Sequence, residues 1–339
     1  MSINPASALA NHPLSSLRLR AVIWRLRQRN GIYFRNLAKR PLPLSKIIEG
    51  GVVFDFRTSQ YIHFGDLMFF FPLMFVLAAR TRVSCIAAPI HQDFLAFLLE
   101  GYPGISLIKA QPGNDEIRAG SHGLVITSPY LLGLNVQAWD GVPVIGVGLA
   151  DEPVDERYPE YLAHACLDFC GVGITTGEVR ALTLDWCQAI RRKAEQHAAN
   201  LDLGLGSENL WLAPYLGSGR FRDMFQCKKA GLLEYAGALA QKKRASIILA
   251  GSDSDPAVVL DDVQLIDKRG IKIVDAMCLA ASPKILEGVG FDGFWMHFFD
   301  ILGKPYAVRF RGRYTWAARQ LHYQSINVSF CYFTERHYL

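Results

Sequence analysis

Asp292 and His297 lie five residues apart in the stretch Phe291-Asp-Gly-Phe-Trp-Met-His-Phe-Phe-Asp-Ile-Leu-Gly-Lys-Pro305. The pattern around them reads as a loop, a helix starting near Phe294, and a strand over Tyr306 to Phe310. In open α/β sheets ligands bind at loops on the carboxyl ends of strands. An acid in such a loop can hold sugar or ribose hydroxyls. A helix start adds unpaired N–H groups that favour phosphate. The plainer reading is that Asp292 caps the helix and His297 is a satisfied, half-buried side chain. A second acid, Asp66, follows Gly65 and precedes an apolar run that contains Pro72. It could cap a helix starting at Leu67. Arg220, Arg222 and Lys228, in or beside a Gly-rich loop, are candidate phosphate cations, although each alone reads as a solvated surface charge.

The elements that would position these residues alternate between strand and helix. Gly51 to Phe56 reads as a first buried strand, followed by a loop through Gly65 and a helix over Leu67 to Arg80. Short apolar runs follow at Val83 to Ala88, Ser106 to Lys109, Leu124 to Thr127 and Val144 to Val147. Helical or loop pieces separate most of them, as in a parallel sheet covered on both faces. Gln111 to Gly123 is a polar, Gly-rich loop that could line an acceptor cleft or simply be surface. Helices are expected from Glu156 to about Cys170 and from Glu178 to Asn200. The alternation then restarts. Strands are expected at Leu210 to Pro214, Ile247 to Gly251 and Lys272 to Val274, with a helix over Gly231 to Gln241, a short helix before Asp292 and a short amphipathic piece, ending in glycine, over Lys284 to Gly290.

Two of these stretches resemble the heptosyltransferase family of bacterial lipopolysaccharide synthesis, glycosyltransferase family 9. That family carries Gly-Asp-x5-Pro near its first strand, matched by Gly65, Asp66 and Pro72. Its second half carries Asp-[Ser/Thr]-Gly-x-x-His-x4-Leu-x-x-Pro, matched in register by Asp292, His297, Leu302 and Pro305, with Met296 also common there. One position departs: Phe294 stands where the family has glycine, and Gly293 comes one place earlier. The resemblance implies an α/β chain of two Rossmann-like doubly wound domains facing across a cleft, the GT-B type. It implies Asp66 as the general base that takes the proton of an acceptor hydroxyl attacking an anomeric carbon, with Gly65 on the acceptor side. Asp292, Gly293, His297, Arg220, Arg222, Lys228, Gly251, Asp255 and Met277 are then expected on the donor side. Negative charge growing on a leaving diphosphate needs fixed cations and helix starts. Asp253-Ser-Asp255 has the spelling of a metal-binding pair but follows Gly251, where the family holds an acid near the sugar or ribose. It reads as a loop or ribose contact, so no metal and no cofactor is expected beyond the nucleotide diphosphate sugar.

Half of the 339 residues are hydrophobic and 20% are charged, enough for two domains of ordinary size. Seven scattered cysteines without a Cys-x-x-Cys read as reduced, mostly core thiols of a cytoplasmic protein. The net charge of +5 is unevenly placed. Residues 1–50 hold nine Lys or Arg and one acid, Glu49, leaving 27 basic and 30 acidic groups for the rest. Leu19, Val22, Ile23 and Leu26 form an apolar stripe bordered by arginines. Such a helix can lie on an anionic membrane or pack on its own domain. The stretch Leu67 to Ala79 is too short to span a bilayer, and no nucleic-acid-binding motif occurs.

The expected organisation is a basic N-terminal helical arm over 1–45 and a Rossmann-like acceptor domain over 46–155. An interdomain helical region over 156–205, a Rossmann-like nucleotide-sugar domain over 206–325 and a tail over 326–339 complete it. The expected partners are a nucleotide sugar, a glycan or glycolipid acceptor such as lipopolysaccharide, and an anionic membrane surface met by residues 14–40. The expected location is the cytoplasm, at the inner face of the membrane if the arm binds it. The resemblance implies an inverting, metal-independent transferase. Another two-domain sugar-nucleotide enzyme, such as an epimerase, and a non-catalytic nucleotide- or partner-binding relative are the alternatives.

Overall fold

Every residue of Val52–Phe56 is buried, as a near-continuous apolar run at the centre of a parallel sheet requires. The computed structural model describes residues 32–35, 44–57, 64–109, 123–127, 142, 144–147, 163, 166–167, 170–202, 204–215, 226–291 and 293–309. The expected helix over 14–29, the loop over 111–122, the stretch 151–162 and the residues from 310 onward lie outside them, as do Arg220, Arg222 and Asp292. For Asp66 and Lys228 the backbone alone is described. The chain divides into two compact units, Met1–Thr183 and Leu184–Leu339.

The first unit runs β1 (Ile32–Arg35), α1 (Leu44–Gly50), β2 (Val52–Phe56), α2 (Phe64–Met68), α3 (Phe71–Ala78) and β3 (Val83–Ala87). A 3-10 turn, Pro89–His91, then leads to α4 (Gln92–Leu99), β4 (Ile105–Lys109), β5 (Leu124–Thr127) and β6 (Val144–Val147). The sheet order is β1-β6-β5-β2-β3-β4. All pairs are parallel except β1 with β6, which is antiparallel and matches Ile32 with Val147. Four residues of the stretch expected as an arm therefore cover a sheet edge. The single helix expected over Leu67 to Arg80 is two helices, and it starts earlier, at Phe64. Pro72 is the cause. A proline has no N–H to donate, and its ring collides with the carbonyl four residues back, here Met68. The first helix stops there, and Pro72 occupies the first turn of the next, where no N–H is needed.

α5 (Thr176–Leu201) opens on a reciprocal cap. The Glu178 backbone N–H donates to Thr175 Oγ1 at 3.2 Å, and the Thr175 N–H and hydroxyl both donate to Glu178 Oε2 at 2.9 Å. These bonds hold the Glu178 carboxyl below its ordinary range. A carboxyl lowered in the fold stabilises it above the ordinary value and loses that contribution as pH falls through the lowered one. Thr175→Ala is expected to lower the melting temperature by about 2–4 °C at neutral pH. The gap between variant and wild type should narrow in acid, which scanning calorimetry at several pH values would read.

The second unit continues with β7 (Asn209–Ala213), α6 (Gln226–Lys243), β8 (Ser246–Leu249), β9 (Leu265–Asp267), α7 (Ile273–Ala281), β10 (Ile285–Phe291), α8 (Phe294–Leu302) and β11 (Tyr306–Arg309). Its sheet is parallel throughout, in the order β11-β10-β7-β8-β9. Leu210, Leu212, Ile247, Leu249, Val289 and Phe291 pack with Leu232, Ala236 and Ala240 of α6. The alternate positions, Trp211, Gly288, Gly290 and Tyr306, belong to the opposite face, where Phe299 of α8 meets Tyr306 at a ring separation of 5.1 Å.

Two expectations fail in this unit. Lys284 to Gly290 is strand β10 and not a helix. Its glycines weaken strand propensity on their own, but Cβ atoms at 288 and 290 would overlap the Tyr306 ring and hydroxyl. The missing side chains make room for a neighbour. Lys272 to Val274 is not a strand. Lys272 is extended and α7 begins at Ile273, carried by the buried run Ala276 to Ala281.

α8 ends in a way its sequence dictates. Gly303 is left-handed (φ 67°), its N–H donates to the Asp300 carbonyl, and the Lys304 N–H donates to Phe299. Lys304 Nζ then donates to the carbonyls of Ala280, Ala281 and Ser282 at 2.6–3.0 Å, tying the end of α8 to the end of α7.

Candidate functional site

Strand order reverses once in each sheet, and ligand crevices of doubly wound folds open at the carboxyl ends of the two strands that flank the reversal. In the second unit these strands are β7 and β10, paired from Ile285/Asn209 to Gly290/Ala213. Beyond β7 come Pro214, Tyr215 and the 216–225 segment that contains Arg220 and Arg222; beyond β10 come Asp292 and Gly293. The topology thus brings the attachment points of both expected donor segments to one place. Lys228 is in the first turn of α6, at the far end of the same connection.

Gly293 precedes α8 in extended conformation, and Phe294 begins the helix. Phe294 stacks on Phe298 at 5.7 Å and meets Trp295 at 4.9 Å. Trp295 also packs at 4.7 Å on Trp211, a fully buried side chain in β7. The first turn of α8 is therefore walled with aromatic rings, where the resembled family has a bare glycine. His297 is buried, one turn further in.

The other proposed donor residues divide. Gly251 lies at the end of β8 beside the Tyr215 ring. A Cβ there would stand 2.6 Å from that ring and 2.8 Å from Asp255 Oδ2. Asp255 is buried and its carboxylate accepts the Ser252 N–H at 2.7 Å, so it closes its own loop. Tyr215 donates to the Pro256 carbonyl, and burial raises its hydroxyl above the ordinary range. Arg269 donates to the Asp255 carbonyl and grips Asp267, whose carboxyl it holds at about 2. Gly251, Tyr215, Asp255 and Arg269 are thus one interlocked cluster at the β7–β8–β9 ends. Met277 is fully buried inside α7. Leu302 is buried, and the Pro305 carbonyl accepts the Gly288 N–H at 2.9 Å, so both motif positions anchor α8 to the sheet.

In the first unit the reversal lies between β2 and β5. Gly65 and Asp66 are the second and third residues of α2, the first helix after β2. Asp66 is inside the helix and not its cap. Asp55, wholly buried in β2, is gripped by Arg57 through Nε and Nη2 at 2.7–3.2 Å, and Thr127 of β5 donates to the Asp55 carbonyl at 2.7 Å. This pair was missed in the sequence, although an Asp-x-Arg step at a strand end recurs at Asp267–Arg269. Among the described residues no three His, Cys, Asp or Glu gather as a metal-holding group.

No family model matches the chain, and no curated protein matches it. Solved structures do. A glycosyl transferase family 9 protein from Veillonella parvula DSM 2008 is 14% identical, with 82% of this chain and 84% of that one covered and a TM-score of 0.48. E. coli heptosyltransferase WaaC with ADP is 11% identical over 80% and 91%, with a TM-score of 0.49. E. coli ADP-heptose LPS heptosyltransferase II is 12% identical over 76% and 83%, at 0.44. The chain is thus similar to glycosyltransferases by name, at a level that carries neither activity nor substrate across to it.

Proposed function

We propose that this chain is a glycosyltransferase that moves a sugar from a nucleoside diphosphate sugar to a glycan or glycolipid acceptor, by inversion and without a metal ion. The observation that supports this reading is topological. Gly65-Asp66 and Asp292-Gly293, the segments with the family's spacing, each follow a strand that flanks the reversal of its own sheet. In this reading Asp66 takes the acceptor proton, Asp292 accepts hydrogen bonds from donor hydroxyls, and the Arg220 and Arg222 segment faces the diphosphate. A heptose as the sugar and lipopolysaccharide as the acceptor are the finer form of the same proposal.

The aromatic first turn of α8 favours a second reading, a chain that binds nucleotide without transferring sugar. The two separate in one assay: labelled ADP-, UDP-, GDP- and CMP-sugars incubated with and without a lipopolysaccharide core acceptor. Acceptor-dependent release of nucleotide is expected from a transferase. Binding of a nucleotide with no release in either arm supports the second reading, and conversion of the donor without acceptor an epimerase. Asp292→Ala is expected to weaken donor binding about ten- to a hundredfold, the loss of one charged hydrogen bond. Titration calorimetry giving wild-type affinity would remove Asp292 from the donor site.

No helix among the described residues is long and apolar enough to cross a membrane. Contact with an anionic membrane is assigned in this reading to residues 14–40.

A further inference from the structure

Seven residues, 57–63, separate β2 from α2, and both ends of that connection are held by side chains that no motif contains. On the strand side, Arg57 is clamped to the buried Asp55 by its side chain and its backbone N–H, the latter at 3.2 Å. On the helix side, Phe64 is the first residue of α2, two positions before Asp66. Its ring meets the His91 ring edge-on at 5.2 Å and 80°, and the Phe94 ring at 4.9 Å and 64°. His91 is 2% exposed and Phe94 wholly buried. The His91 N–H donates to Ala88 at 2.9 Å, and the Ala88 N–H to Phe56 of β2 at 3.1 Å. The imidazole is thus carried on a turn bonded back to the strand from which the connection departs.

From this geometry we propose that His91 is a positioning residue for Asp66. It holds the Phe64 ring, and through it the first turn of α2, in fixed relation to the carboxyl end of β2. A five-residue helix has little hydrogen bonding of its own to fix its direction. The aromatic anchor on its first residue supplies that constraint. A general base works only within hydrogen-bond reach of its proton. A displacement of about 1 Å at such a group costs on the order of a hundredfold in rate. The proposal rests on the transferase reading and adds to it a residue that touches neither substrate.

Its signature is a loss in kcat with donor KM unchanged. The experiment compares full-length wild type, His91→Leu, Phe64→Leu, the double variant and His91→Phe in the acceptor-dependent transfer assay, with melting temperature recorded for each. His91→Leu and Phe64→Leu should each lose about ten- to a hundredfold in kcat at wild-type donor KM. The double variant should lose no more than Phe64→Leu alone, because the contact that His91→Leu breaks is one of those that Phe64→Leu already removes. His91→Phe, which restores an aromatic edge, should recover most of the rate. Folded single variants with wild-type kcat, losses that multiply in the double, or a donor KM that rises in step with the fall in kcat overturn the positioning role. If His91→Leu fails to fold, Phe64→Leu and His91→Phe read the same contact. A wild-type chain that turns over none of the four donors removes the transferase reading and this role together. A transferring wild type matched by its variants removes this role alone.

Discussion

Asp66→Asn is expected to lower the rate of sugar transfer by about 10²–10⁴-fold, with donor affinity and melting temperature close to wild type. The substitution keeps the shape of the side chain and its capacity to accept a hydrogen bond, and it removes only the ability to take a proton. Asp66 is the third residue of α2 and its backbone belongs to the first helical turn. There a carboxylate gains a little from the helix dipole, so the amide should cost the fold little. Rate and stability therefore come apart if the residue is the base. A variant with near-normal turnover, measured at saturating donor and acceptor, would take the role away from Asp66. A variant that loses rate only in proportion to a lowered melting temperature would make it structural.

Gly290→Ala is expected to be the most damaging of the single substitutions considered for the fold, at about 3 kcal/mol or more. Gly290 lies in β10, paired with Ala213 of β7 on one side and Val308 of β11 on the other. A Cβ there would overlap the Tyr306 hydroxyl and stand 2.7 Å from the Ala213 carbonyl oxygen. The ring could swing away at some cost, but the carbonyl belongs to a central strand that cannot. Tyr306→Phe in the same chain should recover only part of the loss. Gly237→Ala is the internal comparison: it lies within α6, and an added Cβ meets nothing within 4 Å. It should stabilise the protein by about 0.5–1 kcal/mol. Equal melting temperatures for the two variants would show that the β10–β11 packing does not resist a methyl group.

Much of the strand framework is legible from apolar runs alone. Leu124–Thr127 and Val144–Val147 coincide with β5 and β6, and α8 starts at Phe294 as its pattern indicates. What escapes are features decided by a partner distant in sequence. β10 reads as something other than a strand because the reason for its two glycines, Tyr306, is on the next strand. The break between α2 and α3 was legible in principle, since Pro72 alone imposes it. That Gly65-Asp66 and Asp292-Gly293 each come after a strand follows from the strand–helix alternation; which strands flank the reversals does not. The grip of Arg57 on Asp55 and the contact of His91 with Phe64 do not. The first is local, between residues two positions apart, and the second joins an aromatic pair on separate elements, but both use residue types common in any core or strand end.

The antiparallel pairing of Ile32–Arg35 with Val144–Val147 bears on how the basic N-terminus is to be dissected. A chain that begins at residue 32 retains the strand that covers β6. A chain that begins at residue 44 leaves a bare row of amides and carbonyls along an apolar strand, a template on which another molecule can add its own strand. Self-association of the shorter chain would then imitate, in a sedimentation assay with vesicles, the loss or gain of lipid binding. Shortening the protein at residue 32 removes most of the 14–40 segment proposed to meet a membrane while the strand that protects the edge stays in place.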